Sequence, residues 1–186
     1  MPISPRTGLV AAAALVAATL AAAPAAHAQS FVIKARGSQT TLGKVRAIGG
    51  FKPSRNPRLG AAIRAYGEPS SRRGGGEICR VRWADLGVKI VFVNFGGFDS
   101  CKRRGLAQKA VVSGDRPWRT TRGLRLGDTR AKAMNLYPRA KETARGLRLA
   151  EGILPFGIQR RYSVLGARVD SGRVEAFTIF IGAAGD

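Results

Sequence analysis

Four arginines recur at every third position from Arg116 to Arg125, and a tryptophan lies among them. Guanidinium groups form paired hydrogen bonds with phosphate, sulfate or carboxylate oxygens, and a neighbouring aromatic ring offers a face for stacking. The pattern therefore predicts a binding site for a polyanion or an acidic partner, formed by Arg116, Trp118, Arg119, Arg122 and Arg125. In the alternative interpretation, which the sequence favours, Trp118 packs in the core and the arginines are solvated.

A second cluster of basic residues, Lys102, Arg103 and Arg104, joins this candidate binding set. The chain holds 32 Lys and Arg against 11 Asp and Glu, a formal net charge of +21. Such a surface attracts nucleic acid, acidic polysaccharide, anionic lipid or acidic protein through a field that salt screens. The alternative is that the arginine content is compositional and keeps the protein soluble.

The N-terminus has the order of a secretory signal peptide over residues 1–28. Arg6 precedes an apolar run from Leu9 to Ala23, and the small-residue site Ala26-His27-Ala28 follows. We expect cleavage before Gln29 and a protein that is secreted or held in the cell envelope. An uncleaved anchor is the alternative, but the alanine-rich run is shorter than the roughly 20 apolar residues that span a bilayer.

The two cysteines, Cys79 and Cys101, are expected to form a structural disulfide, because an isolated pair in an exported chain is usually bridged. A redox or metal pair is the alternative. Their spacing is not that of a CxxC motif, and the chain beyond residue 28 has no histidine to act as a co-ligand.

Catalytic chemistry is not expected, because cleavage removes His27, the one histidine of the sequence. Ser-His-Asp and Cys-His arrangements both need an imidazole. A two-carboxylate site, for example with Glu77 and Asp85, stays open in principle, but caps, turns and salt bridges explain such acids more simply. The segment from Gly37 to Lys44 lacks the spacing of a phosphate loop. We predict no catalytic residues, no metal site and no cofactor.

Two stretches of the chain show the same order of elements, a short capped helix followed by antiparallel strands. We expect a first helix with Asn56 as its cap, Pro57 at its first position, apolar residues at helical spacing up to Tyr66, and a stop at Gly67. A second helix is expected to be capped by Asp128. Strand-like runs follow each helix: 78–83, 88–95 and 107–113, then 147–150, 162–169 and 173–181. Trp83, Tyr66 and Tyr137 are expected in the core.

This order predicts an α+β fold of two similar units, each a short helix packed on an antiparallel β-sheet. The expected divisions are a signal peptide (1–28), an N-terminal segment (29–52), a first α+β unit (53–115) and a second α+β unit (116–186).

Three short segments have recognisable patterns. Leu126 to Pro138 contains a Gly, a polar cap and an alanine-rich helix, and Gly67-Glu68-Pro69 is a helix stop. Gly172 to Phe177 leads from a turn into an alternating strand. These segments resemble the beta-lactamase inhibitor protein family and the small outer-membrane lipoproteins that assist barrel assembly. The chain also resembles arginine-rich exported proteins of unknown function from high-GC bacteria. The resemblance implies a tandem repeat of helices on an antiparallel sheet. Inhibition does not follow, because no segment marks an inhibitory surface, and a lipid-attachment cysteine is absent.

The sequence therefore predicts an exported, non-catalytic binding or envelope-associated protein. The alternative is an exported polyanion-binding protein that uses the arginine-rich segment around Trp118. The expected partner is an envelope protein or an anionic polymer rather than intracellular nucleic acid, and the mature chain is expected to be a monomer without a membrane span.

Overall fold

Eleven strands, two short α-helices and one turn of 3₁₀-helix (Ala84–Leu86) lie in the described part of the chain, which in this computed structural model comprises residues 30–38, 43–154 and 160–182. The predicted signal peptide lies outside these residues. The helices are α1 (Leu59–Tyr66) and α2 (Arg130–Leu136). The strands are β1 (Val32–Arg36), β2 (Lys44–Ile48), β3 (Ser71–Gly75), β4 (Ile78–Trp83), β5 (Val88–Val93), β6 (Leu106–Ser113), β7 (Arg119–Thr120), β8 (Lys141–Thr143), β9 (Gly146–Leu154), β10 (Arg160–Asp170) and β11 (Arg173–Phe180).

Eight of the strands form one antiparallel sheet, in the order β3-β4-β5-β6-β11-β10-β9-β8. Helix α1 precedes the four strands of one half and α2 precedes the four strands of the other. The last strand of each half, β6 and β11, pair with each other in the middle, where Phe177 lies opposite Val112. The expected mixed α+β class is confirmed.

The core lies on one face of this sheet because side chains alternate in and out along each strand. On β4, Cys79, Val81 and Trp83 are buried while the arginines between them are exposed. Val81 lies opposite Ile90 of β5, which is also buried, so neighbouring strands present apolar residues to the same side. The expected burial of Trp83, Tyr66 and Tyr137 is confirmed.

A second, smaller sheet has the order β2-β1-β7, with β1 antiparallel to β2 and parallel to β7. Trp118, just before β7, is 1% exposed and packs edge-on against Phe31, with ring centroids 5.2 Å apart. Its indole N–H donates to the Leu86 carbonyl over 2.7 Å, in the turn between β4 and β5. Trp118 thus joins the small sheet to the large one.

The helix caps differ from the sequence expectation, and α1 begins at Leu59 rather than at the predicted Pro57. The N-cap of α2 is Thr129, whose hydroxyl accepts a hydrogen bond from the Lys132 N–H over 3.2 Å. The neighbouring Asp128 instead accepts from the side chain of Lys132 over 2.8 Å. At α1 the N-cap residue is Arg58, with no side-chain cap, and Asn56 accepts from its backbone N–H over 3.1 Å. Asn56 therefore stabilises the turn before α1, whereas Asp128 pairs with Lys132 of α2 and also accepts from the Arg125 N–H over 2.7 Å.

Cys79 and Cys101 lie within disulfide range, with Cα atoms 5.0 Å apart, as the sequence predicts. The pair connects β4 to the loop after β5. None of the helices in the described ranges has the length and apolar character needed to cross a membrane.

Candidate functional site: a basic cleft

An open cleft of about 1230 Å³ lies between the small sheet and the end of the large sheet formed by β8, β9 and β10. One side is lined by β1 and β2, and the other by β9 and β10. The segment after β7 and the chain that leaves α2 complete the lining. Segments that are far apart in the sequence therefore meet around one cavity.

The lining of this cleft is strongly cationic. Seven exposed basic side chains contribute to it: Lys34, Arg36, Arg46, Arg122, Arg139, Lys141 and Arg161. Glu151 is the one carboxylate that lines it among the described residues, which leaves an excess of six positive charges. Lys34, Arg36 and Arg139 form no ion pair with any described residue. Several cations are thus available to an anionic ligand.

Glu151 interacts with three cations at once. Its carboxylate lies 2.9 Å from Arg148 Nη1, 3.3 Å from Arg161 Nη1 and 3.5 Å from Lys141 Nζ. Burial raises its pKa, but hydrogen bonds from Arg148 and Arg161 and the charges of Lys141 and Arg148 outweigh this effect, and its pKa is lowered. Glu151 is therefore ionised at neutral pH and reduces the positive charge at this side of the cleft.

Arg122 is held at the opposite side by two contacts. Its Nη1 donates to the Leu136 carbonyl over 2.9 Å, and its guanidinium carbon lies 5.0 Å from the centroid of the Tyr137 ring. Burial raises the pKa of Tyr137, although the charge of Arg122 acts against it. Tyr137 stays neutral, so the ring supports Arg122 without neutralising it.

Close backbone contact between β1 and β9 fixes the shape of the cleft. The Ser38 N–H donates to the Glu151 carbonyl over 2.8 Å. Gly37 permits this approach, because a Cβ atom there would lie 2.5 Å from the same carbonyl oxygen. Nearby, the Gly43 N–H donates to the Tyr162 hydroxyl over 3.0 Å.

The eight residues predicted as a binding set do not converge on one place. Arg122 lines the cleft, and Trp118 lies in the core, where its ring is not available for stacking on a ligand. Arg116 donates from Nε to the Asp85 carbonyl over 2.7 Å. Arg119 and Arg125 are exposed and share a β-bridge outside the cleft lining. Lys102, Arg103 and Arg104 are exposed in the loop after Cys101, also outside the lining.

The other six cations of the cleft lie outside the predicted binding set. On β2, Lys44 and Arg46 alternate with the buried Val45 and Ala47, which is the pattern of a half-buried strand with a basic outer face. That alternation is the signal that would have located this side of the cleft. The segment from Arg139 to Lys141 carries no comparable pattern.

No family model, curated protein or solved structure gives a significant match to this chain. Within the described ranges, no group of three or more His, Cys, Asp or Glu residues is placed to hold a metal ion. The chemistry of the cleft is that of arginine and lysine side chains. Such groups hold anions by charge and by hydrogen bonds.

Proposed function

We propose that this protein binds an anionic ligand in the basic cleft and that the ligand carries repeated phosphate, sulfate or carboxylate groups. The observation that carries the proposal is that seven cations and one carboxylate, counted over the described part of the chain, line one cavity of about 1230 Å³. Cations that line a concave surface reinforce each other's field and attract a polyanion more strongly than the same charges spread over a convex surface.

The proposed role is binding without catalysis. The cations of the cleft hold and orient an anion. Glu151, the one carboxylate among the described residues of the lining, is held in ion pairs rather than placed opposite a second described acid. General acid–base work by two carboxylates would need such a partner. We propose that the protein acts as an exported monomer, in the envelope or outside the cell, on an anionic polymer or an acidic envelope protein.

The proposal of two similar units, and with it the resemblance to the beta-lactamase inhibitor protein family, is supported by the strand order. A helix and four strands occur in each half of the large sheet, and the halves meet through β6 and β11. In this proposal the small sheet is an addition to the repeat, and the cleft forms where it covers the second unit.

The cleft is tested with a triple variant, Arg36→Gln, Arg122→Gln and Arg139→Gln. A matched control, Arg55→Gln, Arg64→Gln and Arg119→Gln, removes the same charge from exposed arginines outside the cleft lining. With dextran sulfate or polyphosphate as the probe, we expect the cleft variant to bind at least roughly tenfold more weakly, because hydrogen bonds to charged groups are lost.

The control variant should lose less than about threefold in affinity, since it changes only the long-range field. Added salt should weaken binding by the unmodified protein more steeply than binding by the cleft variant, which has fewer ionic contacts to lose. Equal losses in the two triple variants would show that net charge alone attracts the probe, and the cleft would then not be the site.

Export is tested by expressing the full chain in a bacterial host, fractionating the cells and sequencing the N-terminus of the recovered protein. The expected product begins at Gln29 and is found in the envelope or the medium. An intact N-terminus in the cytoplasmic fraction would contradict this part of the proposal.

A further inference from the structure

The solvent-facing side of β3–β6 carries a second basic surface, separate from the cleft. Five exposed cations form it, and we call them the sheet-face patch: Arg73, Arg80, Arg82, Lys89 and Lys109. Neighbouring strands lie about 4.8 Å apart, so the patch is on the order of 14 Å wide across four strands. None of these residues lines the cleft.

Like charges face each other directly across the strands of this patch. Arg73 lies opposite Arg80 on β3 and β4, and Arg82 lies opposite Lys89 on β4 and β5. Such pairs destabilise a sheet, whereas opposite charges in the same positions stabilise it. No cation of the patch forms a salt bridge with another described residue. The patch therefore has uncompensated charge that an external anion would neutralise.

One exposed apolar side chain, Ile78, lies at one end of the same face, and a second, Phe95, lies in the loop that follows β5 at that end. Ile78 is 44% exposed and Phe95 is 74% exposed, and these are the large hydrophobic residues with high exposure among those described. Ile78 precedes Arg80 and Arg82 at alternate positions of β4, so all three point to the same side. Ile78 lies opposite Val93, two residues before Phe95.

The loop that carries Phe95 is held close to the patch. The Asn94 N–H donates to the Glu77 carbonyl over 3.0 Å, and the Asn94 side chain accepts from the Gly96 N–H over 2.7 Å. The disulfide pair Cys79 and Cys101 ties the far end of the loop to β4. Phe95 is thus presented beside the basic face by a fixed segment of backbone.

We propose that the sheet-face patch docks on an anionic lipid bilayer, with its cations against the lipid phosphates and with Ile78 and Phe95 in the interfacial layer. Charge complementarity requires an anionic surface, and a bilayer also offers apolar volume for Phe95. A hydrophilic polymer would satisfy the cations but would leave the two apolar side chains in water. The combination therefore favours a lipid surface over a soluble polyanion.

The test is co-sedimentation of the purified protein with vesicles of phosphatidylglycerol and phosphatidylcholine in equal parts, compared with vesicles of phosphatidylcholine alone. The patch variant is Arg80→Gln, Arg82→Gln and Lys89→Gln, and the apolar variant is Ile78→Thr and Phe95→Ser. The cleft triple variant removes the same charge from the other basic surface and serves as the matched control. Thermal unfolding of each variant checks that the fold is kept.

We expect the unmodified protein to co-sediment with the anionic vesicles and not with the neutral ones. The patch variant should bind on the order of 100-fold more weakly, at about fivefold for each cation near an anionic surface. The apolar variant should bind roughly tenfold more weakly at unchanged net charge. The cleft control should stay within about threefold of the unmodified protein.

Three results would overturn the inference: equal losses in the patch and cleft variants, an apolar variant that binds vesicles normally, or a patch variant that loses dextran sulfate binding and keeps vesicle binding. The last result would assign the patch to a soluble polymer. Failure here leaves the proposed function intact if the cleft variant alone loses the soluble polyanion. Failure of the cleft proposal likewise leaves vesicle binding by the patch unaffected.

Discussion

The backbone N–H of Ser38 lies 2.8 Å from the carbonyl oxygen of Glu151, and the side chain of the same glutamate holds Arg148 and Arg161. Glu151 therefore joins β1 to β9 through its backbone and sets the charge of the cleft through its carboxylate. The two roles are separable, because a substitution of the side chain leaves the backbone contact in place.

The backbone contact is tested by Gly37→Ala. The added Cβ would lie 2.5 Å from the Glu151 carbonyl oxygen, so β1 must move away from β9. We expect a loss of about 1–3 kcal/mol in the free energy of unfolding, as for other overpacked sites, together with weaker anion binding. Denaturant unfolding and dextran sulfate binding measure the two effects.

The matched control for this substitution is Gly75→Ala. The atom nearest to a Cβ at Gly75 would be Asp99 Oδ1, at 4.0 Å. We expect this variant to stay within about 0.5 kcal/mol of the unmodified protein. Equal destabilisation by the two substitutions would mean that the approach of β1 to β9 is not the critical contact.

The carboxylate role is tested by Glu151→Gln. The variant removes the one negative charge that lines the cleft among the described residues, so anion affinity should rise by roughly three- to tenfold at low salt. A titration of polyphosphate against both proteins measures the change. Unchanged or weaker binding would show that Glu151 positions the cations rather than competing with the ligand for them.

The difference in stability between the unmodified protein and Glu151→Gln should depend on pH. The pKa of Glu151 is lowered in the folded protein, so the carboxylate stabilises the fold above its unfolded pKa of about 4.3. This contribution is lost as the pH falls through the lower, folded pKa. Unfolding curves should show the unmodified protein as the more stable one at neutral pH, and the difference should vanish in acid. A stability difference that persists in acid would show that it does not come from the ionised carboxylate of Glu151.

The sequence predicts the strands of the large sheet where side chains alternate strictly. The hairpin of β4 and β5 is clear because buried Val81 and Ile90 lie within runs of β-branched and aromatic residues. The sequence does not indicate strand β3, because Ser71–Gly75 is rich in glycine and exposed at the edge of the sheet. Strands β1 and β7 are stabilised by tertiary pairing rather than by local pattern, so the small sheet is missed.

The candidate site was less predictable than the fold. Arg122 is in the cleft only because the chain turns after β7 and brings it over Tyr137. Its neighbours at the same spacing, Arg119 and Arg125, lie outside the lining. A regular spacing of arginines along the chain does not determine which of them share a concave surface, because that depends on the packing of β1 and β2.

The cysteine pair is tested by Cys79→Ala with Cys101→Ala. The bridge closes a loop with a sequence separation of 22, so its removal should cost about 3 kcal/mol in the free energy of unfolding. Because the pair also holds the loop of Phe95, vesicle binding should fall while binding of dextran sulfate in the cleft is kept. Unfolding curves that are the same for both proteins would show that the pair is not bridged in solution.

The position of Trp118 gives a test that separates its two sequence interpretations. In Trp118→Phe a ring is kept, but the Leu86 carbonyl loses the hydrogen bond that it now receives over 2.7 Å. We expect a loss of about 2–3 kcal/mol in the free energy of unfolding, from the unpaired carbonyl and the smaller ring. Anion affinity of the folded variant should not change, because the indole is 1% exposed. A variant of normal stability that binds dextran sulfate more weakly would instead assign Trp118 to a binding surface.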